Sequence, residues 1–297
     1  MTIYIYNGPG CSTFSARNLK HALGMALNRF GFDTEFISPQ EIIDGSKLTP
    51  DQTTMLVMGG GRFTEVKAAL GPQGLLNIQE YTRAGGLYTG ICMGSYAAFD
   101  NIDFRGEQRK TSNGLGFFNT TARGSLPVTM PYDGTGNSAT IIEIQHMQRP
   151  TKFPALYWGG NGMDEADLLK IGAVPLSKIT LSSGEEKIMS ARVDVGDHGG
   201  KAFLCGYHPE GHSRKIIWNW LVGLSPNSDC YERLRHELIA HPDKAYLMAL
   251  ACLLDDIELV PEHSFVNQVH AGWPYIEMME NLPTPDWEIV LPKPKNP

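Results

Sequence analysis

Cys92, His208 and Glu210 are the residues of this chain whose types and placement fit acyl transfer. Cys92 lies in Gly90-Ile91-Cys92-Met93-Gly94, directly after the apolar run Leu87 to Thr89 and before the helix-compatible stretch Ser95 to Phe99. A nucleophile between a strand and a helix sits on a tight, strained turn, and glycines two positions to either side remove side chains that would clash there. A helix start beneath the sulfur also favours negative charge on it. Such a thiol needs a base, and the base needs a partner that fixes its tautomer. His208-Pro209-Glu210 supplies both at the end of the apolar run Phe203 to Tyr207. Pro209 biases His208 toward an extended conformation, in which residues two apart face the same way.

Developing negative charge on a carbonyl oxygen needs donors, and we expect these from the backbone N–H groups of Gly60 and Met93. Gly59-Gly60-Gly61 follows the apolar Met55 to Met58, at a strand end like the one that carries Cys92. The triplet lacks the GxGxxG spacing and a following Lys-Ser/Thr, which excludes dinucleotide and P-loop readings. Weaker candidates for the pocket are Gly61, Tyr96, Asn7 in the turn Asn7-Gly8-Pro9-Gly10, and Arg123, whose guanidinium suits a substrate carboxylate. Each feature also has a plainer explanation. Cys92 reads as a buried small hydrophobe, the glycines as a flexible loop, and Arg123 as a surface residue. His146 is a weaker candidate base, His198 and His212 read as surface residues, and Cys11 lies in a loop that approaches the same edge.

Behind these residues, the chain alternates strand-like and helix-like runs. Thr2 to Tyr6, Glu35 to Ile37, Met55 to Met58 and Leu87 to Thr89 read as strands. Between them fall helical spacings that include Leu19 to Phe30, Glu65 to Leu70 and Leu75 to Arg83. Such alternation predicts a parallel sheet covered by helices. Between about Asp100 and Gly200 the pattern turns β-rich, as in Thr140 to His146 and Ile188 to Val195, and predicts an insertion or an extended half-sheet. Arg214 to Val222 and Tyr231 to Leu254 read as helices, and Pro261 to Pro297 as an irregular wrapping tail.

Composition narrows the function classes. With 297 residues, 42% hydrophobic and 19% charged, the chain has the balance of a globular protein with a sizeable core. A net charge of -7 and the lack of a Lys/Arg-rich block argue against nucleic acid or a membrane surface as a partner. No apolar run is long enough to span a membrane. The N-terminal MTIYIYNGPG reads as a first strand rather than a signal peptide. Five cysteines without a CxxC pair suit free thiols in a reducing, cytoplasmic compartment, and neither a metal nor a cofactor is implied.

In order and spacing, several segments resemble the N-terminal domain of eukaryotic-type biotin-protein ligases, a branch of the class I glutamine amidotransferase-like superfamily. They are Tyr6 to Gly10, Ser15 to Leu23, Leu56 to Gly61, Gly85 to Tyr96, Phe117 to Gly124, Tyr157 to Gly160 and Gly206 to Glu210. The resemblance spans about residues 1 to 225, leaving 226 to 297 as a helical and irregular C-terminal extension. It implies a flavodoxin-like open, mostly parallel sheet with helices on both faces, and a Cys-His-Glu triad at Cys92, His208 and Glu210. Two departures stand out. Tyr96 occupies the position where glutamine amidotransferases carry Gln, and Gly59 replaces the proline typical before the paired glycines. No ligase catalytic domain is expected, and biotin ligation is not predicted. The expected activity is that of a hydrolase or amidase-like enzyme acting on a small acyl or amide substrate. The alternative expectations are a catalytically idle module that keeps the pocket for a metabolite or a protein partner, and a thiol sensor built on reversible oxidation of Cys92.

Overall fold

The structure is a computed structural model that describes residues 1–104, 107–110, 114–128, 131–222 and 228–272. Its first half alternates strand and helix: β1 (Thr2–Tyr6), α1 (Thr13–Leu27), β2 (Asp33–Ile37), α2 (Pro39–Asp44), β3 (Thr53–Met58), α3 (Phe63–Arg83), β4 (Leu87–Ile91) and α4 (Met93–Ala97). A β-rich stretch follows, with β5 (Phe99–Phe104), β6 (Glu107–Lys110), β7 (Phe118–Gly124), β8 (Thr140–His146), β9 (Lys152–Tyr157), β10 (Asn161–Gly162), α5 (Glu165–Lys170), β11 (Val174–Thr180), β12 (Glu186–Val195) and β13 (Gly200–Cys205). The chain then turns helical through α6 (Arg214–Val222), α7 (Ser228–Ile239), α8 (Asp243–Ile257) and α9 (Phe265–His270).

Nine strands form one sheet in the order β2-β1-β3-β4-β13-β12-β11-β8-β9. The first five pair in parallel, in the flavodoxin-like order with its switch point between β1 and β3. The other four continue the sheet with antiparallel pairing. A second sheet, β10-β7-β5-β6, carries the rest of the β-rich stretch. The region expected as an insertion or a half-sheet is therefore both.

The parallel strands are apolar on both faces because helices cover both. In β1, Ile3 and Ile5 pack into a core with α1 and α8, whereas Tyr4 and Tyr6 face α2, α3 and the small sheet. The two helical spacings between Glu65 and Arg83 join into α3, with a break at Gly71 (φ 58°, ψ −175°) immediately before Pro72. The predicted helix from Tyr231 to Leu254 is two helices, because the extended Pro242 (φ −65°, ψ 150°) separates α7 from α8. Part of the segment expected as an irregular tail is helical, since α9 runs from Phe265 to His270. Asp255 fixes that helix, accepting the Phe265 N–H at 2.6 Å and the Ser264 hydroxyl at 3.0 Å. The remainder of the predicted tail, from 273 on, lies outside the described residues.

His146, a weaker candidate base by sequence, holds the half-sheet to α8. Its ring is buried, with Nδ1 accepting the Gln148 N–H at 3.1 Å and Nε2 lying 3.1 Å from Asp256 Oδ1. Arg149 Nη1 reaches the same carboxylate at 2.6 Å. Removing the acid strands a guanidinium and an imidazole, so Asp256→Ala should cost about 3 kcal/mol in chemical denaturation. Leu250 on α8 is fully buried. Leu250→Ala should cost about 2–5 kcal/mol, and a loss under about 1 kcal/mol would show that α8 does not belong to the core.

Candidate active site

The parallel register of β4 and β13, with Gly90 beside Leu204 and Ile91 beside Cys205, brings the elbow and the His-Pro-Glu segment to one sheet edge. The Cys92 N–H donates to the Cys205 carbonyl at 2.8 Å, extending the ladder by one bond. The chain then reverses into α4, and Cys92 takes φ 52° and ψ −104°, a positive-φ conformation rare for a residue with a side chain. The flanking glycines are required sterically. A Cβ on Gly94 would collide with the Met58 carbonyl, and one on Gly90 with the Gly94 carbonyl. The turn is pinned by the Gly94 N–H to Gly59 O at 3.2 Å and by the Tyr88 hydroxyl to Gly94 O at 2.6 Å.

On β13's side, the His208 N–H donates to Leu156 O at 2.9 Å, which keeps the segment extended. His208 and Glu210 consequently share one face, with Nδ1 2.9 Å from Glu210 Oε1. Both side chains are buried, and His208 Nε2 makes no hydrogen bond with any described residue. Burial pushes the His208 imidazole down in pKa, but Glu210 and Cys92 facing it more than offset this and raise it to about 10. The ring stands edge-on to Trp220, with centroids 4.8 Å apart at 86°. Trp220 stacks on Phe14 at 5.0 Å and meets Trp158 at 5.8 Å, so the wall around the imidazole is aromatic. Cys92, itself 8% exposed, directs its thiol to the Trp158 carbonyl at 3.7 Å.

The other expected pocket residues separate. Met93 opens α4, so its N–H has no acceptor within the helix. The expected role of Gly60 needs correction, because its N–H donates to Ser15 Oγ at 3.0 Å and is already committed. Gly61 instead bridges to Cys11 and closes the first β–α loop against the glycine triplet. Tyr96 is buried beside Cys92, with its hydroxyl tied to Gly159 O at 3.1 Å. Arg123 is not a free carboxylate receptor: its guanidinium pairs with Asp164, and with Asp167 at 3.6 Å. The Asn7 side chain is exposed, and no described contact joins it to the thiol.

His212, expected at the surface, is buried, with Nδ1 3.0 Å from the Glu210 carbonyl, and burial lowers its pKa to about 3. Burial and the Glu210 charge push the Cys11 thiol up to about 12, and burial raises that of Cys205 well above the usual range. Both are held as neutral thiols. Sequence reasoning missed the part played by Ser15, whose hydroxyl donates to Glu210 Oε1 at 2.5 Å, and by Trp220. Nothing local marks Ser15, since its partner lies 195 residues away. Among the described residues, no group of three His, Cys, Asp or Glu side chains is placed to hold a metal, and no helix is long and apolar enough to cross a membrane.

Comparison with known proteins places the chain in a family. An uncharacterized protein of Chlamydia muridarum is 27% identical over 198 residues, covering 65% of this chain and 76% of its own. A biotin–protein ligase of Schizosaccharomyces pombe is 26% identical over 224 residues, covering 71% of this chain but only 33% of the ligase. Among solved structures, a putative ThuA-like protein from Bacteroides uniformis aligns over 86% of this chain and 91% of its own, at 9% identity and a TM-score of 0.48. The family model described as the N-terminal part of biotin-protein ligase matches residues 1–272, all the described helices included, and the chain belongs to that family.

Proposed function

We propose that this protein is a cysteine-nucleophile hydrolase or amidase-like enzyme of amidotransferase-like architecture, acting on a small acyl or amide substrate in the cytoplasm. The observation that supports it most is Cys92 at φ 52° and ψ −104°, facing an imidazole whose Nδ1 is held by Glu210 and whose Nε2 makes no hydrogen bond with any described residue. Backbone strain of this kind persists where the surrounding structure imposes it, and it concentrates at reactive sites.

In the proposed reaction the Cys92 proton already resides on His208 Nε2, and the thiolate sulfur of this pair bonds to the carbonyl carbon. The oxygen gains the displaced π electrons and is met by the Met93 N–H. The imidazolium, balanced by Glu210, returns its proton to the departing amine or alcohol as the tetrahedral centre collapses to a thioester. Water then attacks with His208 as base, the acid leaves, and the thiol is restored. The aromatic wall of Trp158, Trp220 and Phe14 suits an uncharged acyl or amide group better than a charged one.

Two observations favour a second reading, a module that retains the pocket to bind a metabolite or a protein partner. The Gly60 N–H is committed to Ser15, and Tyr96 fills the Gln position with its hydroxyl tied to Gly159. The readings part on covalent chemistry. Incubating the protein with amides, esters and glutamine analogues should yield an acyl adduct on Cys92 by peptide mass spectrometry. Cys92→Ser should abolish it, and His208→Ala should slow its formation about 10²- to 10⁴-fold. An accessible thiol that takes up none of the panel would sink the enzyme reading in favour of the binding module.

The raised imidazole pKa also makes stability depend on pH. A group whose pKa rises on folding stabilises fully below its unfolded pKa, about 6.5 for histidine, and the contribution is lost as pH climbs through the folded value. The advantage of wild type over His208→Ala in urea denaturation should therefore shrink from about pH 6.5 toward about 10. A constant difference across that range would show that Glu210 and Cys92 do not hold the imidazolium.

A further inference from the structure

Ser15 takes no part in the chemistry above, yet it touches two of its components. It is fully buried, its hydroxyl donates to Glu210 Oε1 at 2.5 Å, and the same oxygen accepts the Gly60 N–H at 3.0 Å. A hydroxyl has one proton, and because the Gly60 N–H can only donate, that proton is directed to Glu210. Glu210 Oε1 thus meets two donors, Ser15 from α1 and His208 Nδ1 at 2.9 Å, while the buried Oε2 makes no hydrogen bond with any described residue. A buried carboxyl group needs such donors to replace the water it has lost. The hydroxyl is not needed to start α1, because the Ser15 N–H is capped by Ser12 Oγ at 3.3 Å.

We infer that Ser15 is a positioning residue for the proposed triad: one hydroxyl holds Glu210 aimed at His208, and through Gly60 ties that acid to the glycine loop after β3. The inference rests on the reading of Cys92, His208 and Glu210 as a working set. The titratable groups facing this set come from several elements. Cys11 from the first β–α loop and Cys205 from β13 face Glu210, His212 reaches the Glu210 carbonyl, and Tyr96 from α4 and Tyr157 from β9 face Cys92. Burial keeps Cys11, Cys205, Tyr96 and Tyr157 protonated and His212 neutral through the neutral range. A pH-dependent change at the thiol between about pH 5 and 10 therefore reports on the triad rather than on these neighbours. Without Ser15, Glu210 loses one of its two donors, supports the imidazolium less, and the reactive thiolate appears at higher pH.

The test is the rate of iodoacetamide alkylation at Cys92 from pH 5 to 10, resolved by peptide mass spectrometry on the full chain. Ser15→Ala should move the midpoint upward by about one pH unit and slow alkylation at neutral pH about tenfold. Ser15→Thr, which keeps the hydroxyl, should restore most of the rate. A folded Ser15→Ala with an unmoved midpoint, even one that melts earlier, would assign Ser15 a structural role and overturn the inference. His208→Ala separates the two levels: if its profile matches wild type, the triad reading itself fails, whatever Ser15 does. Should Ser15→Ala not fold, Ser15→Cys retains the volume with a weaker donor, and the same midpoint comparison decides.

Discussion

The site depends on one pairing, the parallel ladder between β4 and β13. These strands are far apart in sequence and are joined only after the small sheet and the antiparallel half-sheet have been completed between them. Their register determines that the strand ending in Cys92 and the strand leading to His208 finish level with each other. Slipping a strand by one residue reverses which face each side chain occupies, so the register also decides whether the thiol and imidazole meet. The helices α1 and α8 on one face, and α3 with the small sheet on the other, bury both faces of these strands and leave little freedom for slippage.

A second constraint acts across the edge. The glycine triplet after β3, the start of α1 and the His-Pro-Glu segment come from three separate β–α connections, and Ser15 draws them together. That network explains why Gly60 is present and also why it is not a free donor. A glycine there lets the His208 ring come close, with Cε1 about 3.0 Å from where a Cβ would stand. Its N–H meanwhile turns toward α1 instead of toward the thiol.

What could be read from the sequence was local. The elbow is visible because strain, glycine and strand-to-helix change coincide within a few residues around Cys92. The shared face of His208 and Glu210 follows from a proline and a two-residue spacing. Period and breakers gave β1, β8 and α6 with their observed ends, and the region of α3 as two runs. Features set by distant partners could not be read. Arg123 resembles a ligand-binding arginine until Asp164 and Asp167 are folded against it, and His212 looks exposed until the fold buries it with His21 of α1 facing it. The break between α7 and α8 was legible in Pro242, but the apolar residues on either side conceal it within one helical periodicity.

The edge-on contact between Trp220 and His208 gives the site an intrinsic optical signal. An indole beside an imidazole loses emission when that ring gains a proton, because the charged ring accepts an electron from the excited state. At 4.8 Å the two rings are close enough for this to occur. The protonation state of His208 is thus coupled to the protein's own fluorescence, without a dye, a substrate or a label.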